Sequence, residues 1–224
     1  MARMGGESSA ISLCRMRVVR PVVRSYRWPH LEEAAAWVRS GGHAVVWIAP
    51  NKARLVFARP REGDENDLGY WSVLDLGKTE FRLARRGPFE GMAYIAVPHD
   101  CYAIVRFRVV RDSIHPGPTR ALDLDCLECG ACCRDNRVVL EDADIERFEQ
   151  AGRPELARAP YAKREDGTVV LVLRKDRDCK HLGADNKCGI YAIRPDACST
   201  FPVGSECCLS SREEEMDVVD GAKS

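Results

Sequence analysis

The sequence lacks any apolar run long enough to cross a bilayer. The run Ala44–Ala49 has six residues, the length of a strand, whereas a transmembrane helix needs about 18. No apolar stretch follows the arginines near the N-terminus, so we expect neither a secretory signal nor a membrane partner. We therefore expect a cytoplasmic protein whose cysteines stay reduced.

Several sequence patterns of nucleotide-binding and hydrolytic enzymes are also missing. The chain has no G-x-G-x-x-G or G-x-x-x-x-G-K-[ST] loop to cradle a phosphate, and no strained turn that presents a nucleophilic serine. The cluster His99-Asp100-Cys101 lies between two strand-like runs and is read as a turn. No internal repeat is present. The common classes of nucleotide-dependent enzyme and serine hydrolase are therefore excluded.

The chain also lacks net charge, but this balance hides an asymmetry. Its 34 basic and 34 acidic residues give a formal charge of zero, which argues against nucleic acid as a partner of the whole chain. Residues 1–120 carry +7 and residues 121–224 carry −7. Nine of the 11 cysteines lie at or after Cys126. Two regions of different character therefore meet near the Pro- and Gly-rich segment 114–119, the predicted linker.

The predicted fold class is α+β, in four segments. Residues 1–27 are expected to form a disordered leader, and residues 28–114 a small antiparallel sheet with one helix. Residues 120–210 are expected to form a loop-rich, metal-stapled cysteine-cluster domain with short helices. Residues 211–224 form an acidic tail. The basic sheet region is a candidate surface for a protein partner.

Hydrophobic periodicity and turn residues place the individual elements. The first helix is predicted over Pro29–Arg39, and a later one over Asp142–Ala151. A second short helix is predicted over Pro154–Ala159 and a strand over Thr168–Leu173. The strands predicted for the N-terminal region are His43–Ala49, Ala53–Ala58, Tyr70–Leu74, Thr79–Ala84, Met92–Val97 and Tyr102–Val110.

The cysteines carry the strongest chemical signal. Cys126-x2-Cys129-x2-Cys132-Cys133 places four thiols within eight residues, and two-residue spacers let a tight turn aim both sulfurs at one ion. A disulfide framework would need export and strained bonds between neighbouring cysteines, so metal ligation is favoured. The spacing is compatible with zinc and with an iron–sulfur cluster. The candidate metal ligands are Cys126, Cys129, Cys132, Cys133, Cys179, Cys188, Cys198 and Cys207.

These cysteines stand in a longer pattern that resembles a known family. Cys126-x2-Cys129-x2-Cys132-Cys133-Arg134 is followed by Cys179-x-His181-Leu182, Cys188-Gly-Ile190-Tyr191 and Arg194-Pro195-x2-Cys198-x2-Phe201-Pro202. This pattern is similar to the YkgJ-type cysteine-cluster proteins, over about residues 122–208. The resemblance implies a zinc- or iron-chelating domain, to which flagellin N-methylase is also similar. The chain departs from the family at His181, where an aromatic residue is usual, and at Ser199, where arginine is common.

For some residues near the cysteines in the sequence, both a functional role and a purely structural role are open. Arg194 is either a donor to a ligand sulfur or a surface arginine near Asp196. His181 is either a nitrogen ligand or a packing substitute for the aromatic residue. Tyr191 and Phe201 are expected to exclude water by packing.

Three functions are compatible with the sequence. The first is a metal-binding protein, with zinc or an iron–sulfur cluster, in a structural, metal-handling or redox role. The second is a cluster-dependent protein-modifying enzyme similar to a lysine N-methylase, which rests on family analogy alone. The third is a metal-stabilised interaction module. The first is favoured because the ligand set itself supports it, and catalysis remains open.

Overall fold

The computed structural model of the chain describes residues 15–60, 73 and 75–218. The chain divides into two compact units. We call residues 18–122, together with 219–224, the sheet unit, and residues 123–218, together with 1–17, the cysteine unit. The division lies a few residues after the predicted linker 114–119. None of the helices that the structure describes is long and apolar enough to cross a membrane.

The sheet unit is built on a five-stranded sheet with the strand order β2-β3-β4-β6-β5. The order arises because β3, β4 and β6 are successive antiparallel neighbours, and β5 pairs with the outer side of β6. A separate two-stranded sheet pairs β1 with β7. The strands are β1 (Arg15–Pro21), β2 (Val23–Arg27), β3 (His43–Ala49), β4 (Lys52–Phe57), β5 (Arg82–Leu83), β6 (Ala93–Ala96) and β7 (Thr119–Asp125).

One pair of strands departs from the antiparallel sheet that the sequence predicts. Strands β2 and β3 run parallel, because helix α1 (Leu31–Arg39) crosses between them and returns the chain to the same edge. The helix buries Ala34, Ala35 and Val38 on one face of the sheet, as its apolar spacing predicts. The predicted start at Pro29 is two residues early.

The predicted strand Tyr102–Val110 is wrong, because Tyr102–Asp112 forms helix α2. Val105, Arg108 and Asp112 point inward at helical spacing, and both charged side chains are paired inside the unit. Arg108 lies 3.7 Å from the carboxylate of Asp75, and Asp112 accepts a 2.8 Å hydrogen bond from the N–H of Val23. The alternation of arginine with apolar residues suggested a strand, on the assumption that the arginines are exposed.

The disordered leader predicted over residues 1–27 is corrected for residues 15–27, which form β1 and β2. The arginines there conceal the strands in the sequence, but Arg20 is buried beside Asp75 at 3.2 Å. Residues 1–14 lie outside the described residues. So does the predicted strand Tyr70–Leu74, apart from Val73, which is buried in the sheet unit.

The cysteine unit has shorter elements and a smaller core. Its antiparallel sheet has the order β8-β10-β9. The helix predicted over 142–151 and the strand over 168–173 are confirmed within a few residues, and Pro154–Ala157 forms a single 3₁₀ turn. The elements are α3 (Cys126–Cys129), β8 (Val139–Leu140), α4 (Asp142–Gln150), β9 (Ala162–Glu165), β10 (Thr168–Leu171), α5 (Asp196–Ser199) and α6 (Glu206–Met216).

Acid is expected to destabilise the sheet unit through His43. Burial, with Arg108 and Arg20 nearby, holds the pKa of this imidazole well below 6.5 in the folded state. The unfolded chain therefore binds more protons below about pH 6.5, so stability is flat above that pH and falls below it by up to about 1.4 kcal/mol per unit. Burial also lowers the pKa of His115, which acts in the same direction.

Urea unfolding between pH 7.5 and 5.5 tests this expectation. All four tryptophans of the chain lie between residues 28 and 71, so their fluorescence reports on the sheet unit. His43→Phe keeps a ring beside Phe57 but removes the titration, and the loss of stability at pH 5.5 should shrink. An unchanged loss would contradict the assignment to His43. His99→Asn, at an exposed position, is the control.

Candidate metal centre

The first cysteine segment is a short helix followed by a tight turn. Asp125 caps α3 by accepting a hydrogen bond from the N–H of Leu127 at 3.0 Å. Gly130 ends the helix with φ of +66° and allows the turn that carries Cys132 and Cys133. A Cβ at Gly130 would lie 2.9 Å from the Asn186 carbonyl oxygen, so this position has no room for a side chain.

The second segment, residues 177–189, folds as a loop against the first. The N–H of Cys179 donates to the carbonyl of Cys133 at 2.8 Å. Arg134 donates to the carboxylate of Asp178 at 3.1 Å and to the side-chain oxygen of Asn186 at 2.6 Å. These bonds hold the two cysteine-bearing segments together through backbone and side chains.

The third segment, with Cys198, is positioned by α4. The buried carboxylate of Asp144 accepts from the N–H of Asp196 at 2.9 Å and from Arg147 at 2.9 Å. Arg147 also donates to the carboxylate of Asp196 at 2.5 Å and to the carbonyl of Arg194 at 3.0 Å. This network fixes the start of α5, and with it the approach of Cys198 to the other cysteines.

Six cysteines from these segments line one cavity of about 180 Å³. Apolar residues of the core, among them Leu171 and Ile190, form part of its wall. Tyr191 and Phe201 also line it, in the packing role expected from the sequence. The six cysteines are Cys126, Cys132, Cys133, Cys179, Cys188 and Cys198.

His181 also lines this cavity, and its Nε2 atom is buried without a hydrogen-bond partner. The ring stacks on Tyr161 with 5.1 Å between centroids, so the packing role predicted for this residue is present. Burial lowers the pKa of His181, which keeps the imidazole neutral and leaves a nitrogen lone pair available. A buried nitrogen without a hydrogen-bond partner lowers the stability of the fold unless a ligand or a metal bonds to it.

The thiols in the cavity influence one another electrostatically. A hydrogen bond from Cys133 lowers the pKa of Cys132 to about 7, while the same bond and burial raise that of Cys133. Burial raises the pKa of Cys198 to about 12, and raises those of Cys179 and Cys188. Without a cation most of these groups are therefore protonated, and metal binding would release several protons.

Arg194 supplies positive charge beside these thiols. It favours the thiolate forms of Cys132, Cys188 and Cys198. Its guanidinium stacks over the ring of Tyr191 at 3.9 Å and donates to the carbonyl of that residue at 2.9 Å. These contacts hold the guanidinium against Tyr191, and the cavity sulfurs stay available to bind a metal.

Two of the predicted ligands lie apart from this cavity. The sulfur of Cys129 accepts a 2.9 Å hydrogen bond from Arg212 and lies 3.8 Å from the sulfur of Met216. Cys207 is exposed and lines a neighbouring cavity of about 320 Å³, in which Cys132 also takes part. Cys207 and Cys129 stay predictions as ligands.

Cys208, which the sequence pairs with Cys207 but does not place among the eight candidate ligands, is half-buried on α6. Burial raises its pKa to about 11, and its proximity to Cys132 and Cys129 acts in the same direction. Ser205 caps this helix by accepting from the N–H of Cys208 at 3.3 Å. Adjacent residues of a helix point about 100° apart, so Cys207 and Cys208 face different directions. A helix start predicted at residue 206 would have indicated this difference.

The donor set fits a metal centre by its chemistry. Soft thiolates and one imidazole suit zinc and iron–sulfur clusters, and no disulfide removes a sulfur from the ten described cysteines. In the part of the chain that the structure describes, no three His, Cys, Asp or Glu side chains are already gathered around a single ion position.

Short elements and clustered thiols around one cavity are the features expected of a metal-chelating cysteine-cluster domain. Residues 125–220 match the CxxCxxCC family model, described as "Putative zinc- or iron-chelating domain". This segment of the cysteine unit is therefore similar to the family that the motif predicted. Neither the curated proteins nor the solved structures gave a match to the chain.

Proposed function

We propose that the cysteine unit binds one metal centre of more than one metal atom in the six-cysteine cavity. The observation that carries this proposal is the number of thiols around a single space of about 180 Å³. A structural zinc ion takes four ligands in a closed tetrahedron, which would leave two of the six thiols unused.

The space itself supports a polynuclear centre. A cavity of about 180 Å³ is about ten times what one water molecule needs, so it has room for metal atoms with bridging sulfur between them. Two zinc ions that share six cysteines would use every cavity thiol. An iron–sulfur cluster ligated by four cysteines would leave two thiols unused, as a single zinc ion would, and is favoured over that ion by the size of the space. The apolar and aromatic wall would shield either centre from water.

The first role of this centre is structural. Its ligands come from three segments, around residues 126–133, 179–188 and 198, of which the first two are separated by the region that contains β8, α4, β9 and β10. Bonds to a shared centre would fix these segments in a way that the small core alone does not.

Single replacements of cysteine by serine test the ligand set. Cys188→Ser and Cys198→Ser should each lower the metal content of protein purified without oxygen by at least half, because each removes a cavity thiol. Cys207→Ser should leave it unchanged, because Cys207 lies outside that cavity. Elemental analysis per folded chain is the measurement.

Cys101→Ser is the matched control, because Cys101 belongs to the sheet unit and is also partly buried. Full metal content in both cavity variants would overturn the proposed site. Equal loss in Cys207→Ser would show that the ligands extend beyond the cavity.

A further inference from the structure

The sheet unit contains a second cavity, which the metal centre does not explain. It has a volume of about 400 Å³, within the range of about 300–1,000 Å³ that small-molecule sites occupy. All of its lining residues lie between positions 28 and 94, inside the sheet unit. The residues that matter for its chemistry are Trp28, Phe89, Tyr94, Arg54 and Arg86.

The cavity exists because α1 covers only part of one face of the sheet. The nine-residue helix packs its alanines on the β2–β3 side, over Ala44 and Val46. Farther along β3 and on the neighbouring strands, Ile48, Arg54 and Tyr94 lie beyond the helix and line the cavity. Phe89 and the turn that contains Arg86 close another side.

Flat rings form the apolar part of the wall. Tyr94 lies opposite Val56 in the antiparallel register, and Trp28 enters from the segment before α1. Trp28 is 76% exposed, so its ring is open to a ligand. Rings of this kind stack on a planar partner with little loss of conformational freedom.

The polar part of the wall carries charge of one sign. Arg54 stacks over the ring of Tyr94 with 4.8 Å between the guanidinium carbon and the ring centroid. Arg86 is the other charged lining residue, and none of the described residues that line the wall is an aspartate or a glutamate. Guanidinium groups beside an apolar floor favour an anionic group and offer it paired donors.

We propose that this cavity binds a small aromatic anion, a flat ring system that carries one sulfonate-, phosphate- or carboxylate-type group. The ring would stack between Trp28 and Tyr94, and the anionic group would accept hydrogen bonds from Arg54 and Arg86. The site is independent of the metal centre, because all of its residues belong to the sheet unit.

Calorimetric titration of the full metal-loaded chain with naphthalene-2-sulfonate tests the proposal. The anion should bind one per chain, and neutral naphthalene-2-sulfonamide should bind about tenfold more weakly because it lacks the charge. Butane-1-sulfonate, which keeps the charge but lacks the ring, should also bind about tenfold more weakly. Equal affinity for the sulfonate and the sulfonamide, or no binding of the sulfonate, would overturn the proposal.

Variants then place the ligand in the cavity. Arg54→Gln combined with Arg86→Gln should bring the affinity for the sulfonate down to that for the sulfonamide, and both residues are exposed enough to be replaced without loss of the fold. Lys78→Gln removes the same kind of charge from an exposed position outside this cavity and should leave binding unchanged. An equal loss in Lys78→Gln would show that the anion binds by general attraction to a basic surface.

Discussion

Removal of the metal is expected to unfold residues 123–218 while the sheet unit stays folded. The main apolar cluster of the cysteine unit has seven buried residues, and the strands β9 and β10 have only four residues each. A structural metal contributes about 10–16 kcal/mol in small zinc domains, which is as large as the whole stability of a typical domain, about 5–15 kcal/mol. The sheet unit keeps its own core on both faces of a five-stranded sheet.

Two optical signals separate the units in this experiment. After anaerobic chelation, far-ultraviolet circular dichroism should lose the helical signal of α4 and α6, while the tryptophan emission of the sheet unit should stay at its native maximum. Re-addition of metal under reducing conditions should restore the lost signal. A cysteine unit that stays folded without metal would contradict a structural role for the centre.

Replacement of Phe148 by alanine is expected to cost about 3–5 kcal/mol, because it leaves a cavity in a small core. Phe148 is fully buried on α4, and the core around it also contacts Cys179, Cys188 and Cys198. The same helix holds Asp144, which positions the segment before Cys198. The variant should therefore lose metal more readily as well as stability.

Denaturant unfolding of the metal-loaded chain, followed by circular dichroism, measures this cost. Phe107→Ala is the matched control, because Phe107 also lies on a helix but is 47% exposed. Its replacement should change the free energy of unfolding by less than about 0.5 kcal/mol. A loss below about 1 kcal/mol for Phe148→Ala would show that the metal, rather than the core, carries almost all of the stability.

The sequence predicted elements well where one apolar face decided the structure. The helix α1 follows from the spacing of its apolar residues, and the strand β3 follows from the apolar run after His43. The helix α2 was missed because its inward side chains include Arg108, Arg111 and Asp112. A pattern that counts charged residues as exposed cannot find a face on which charges pair inside the fold.

The cysteine motif located the site, but it did not determine which of the cysteines line the cavity. Local spacing brings Cys126, Cys132 and Cys133 together, since one turn around Gly130 contains them. The approach of Cys198 depends on the contact of Asp144 with a backbone N–H 52 residues away, which no local pattern contains. The placements of Cys129 and Cys207 depend in the same way on how α6 packs.

The metal and acid-labile sulfide content of the full chain, purified without oxygen, distinguishes a polynuclear centre from a single ion. We expect at least two metal atoms per chain, either iron with sulfide and a visible absorption band, or zinc without either. A single metal atom per chain, or none, would contradict a polynuclear centre in the six-cysteine cavity.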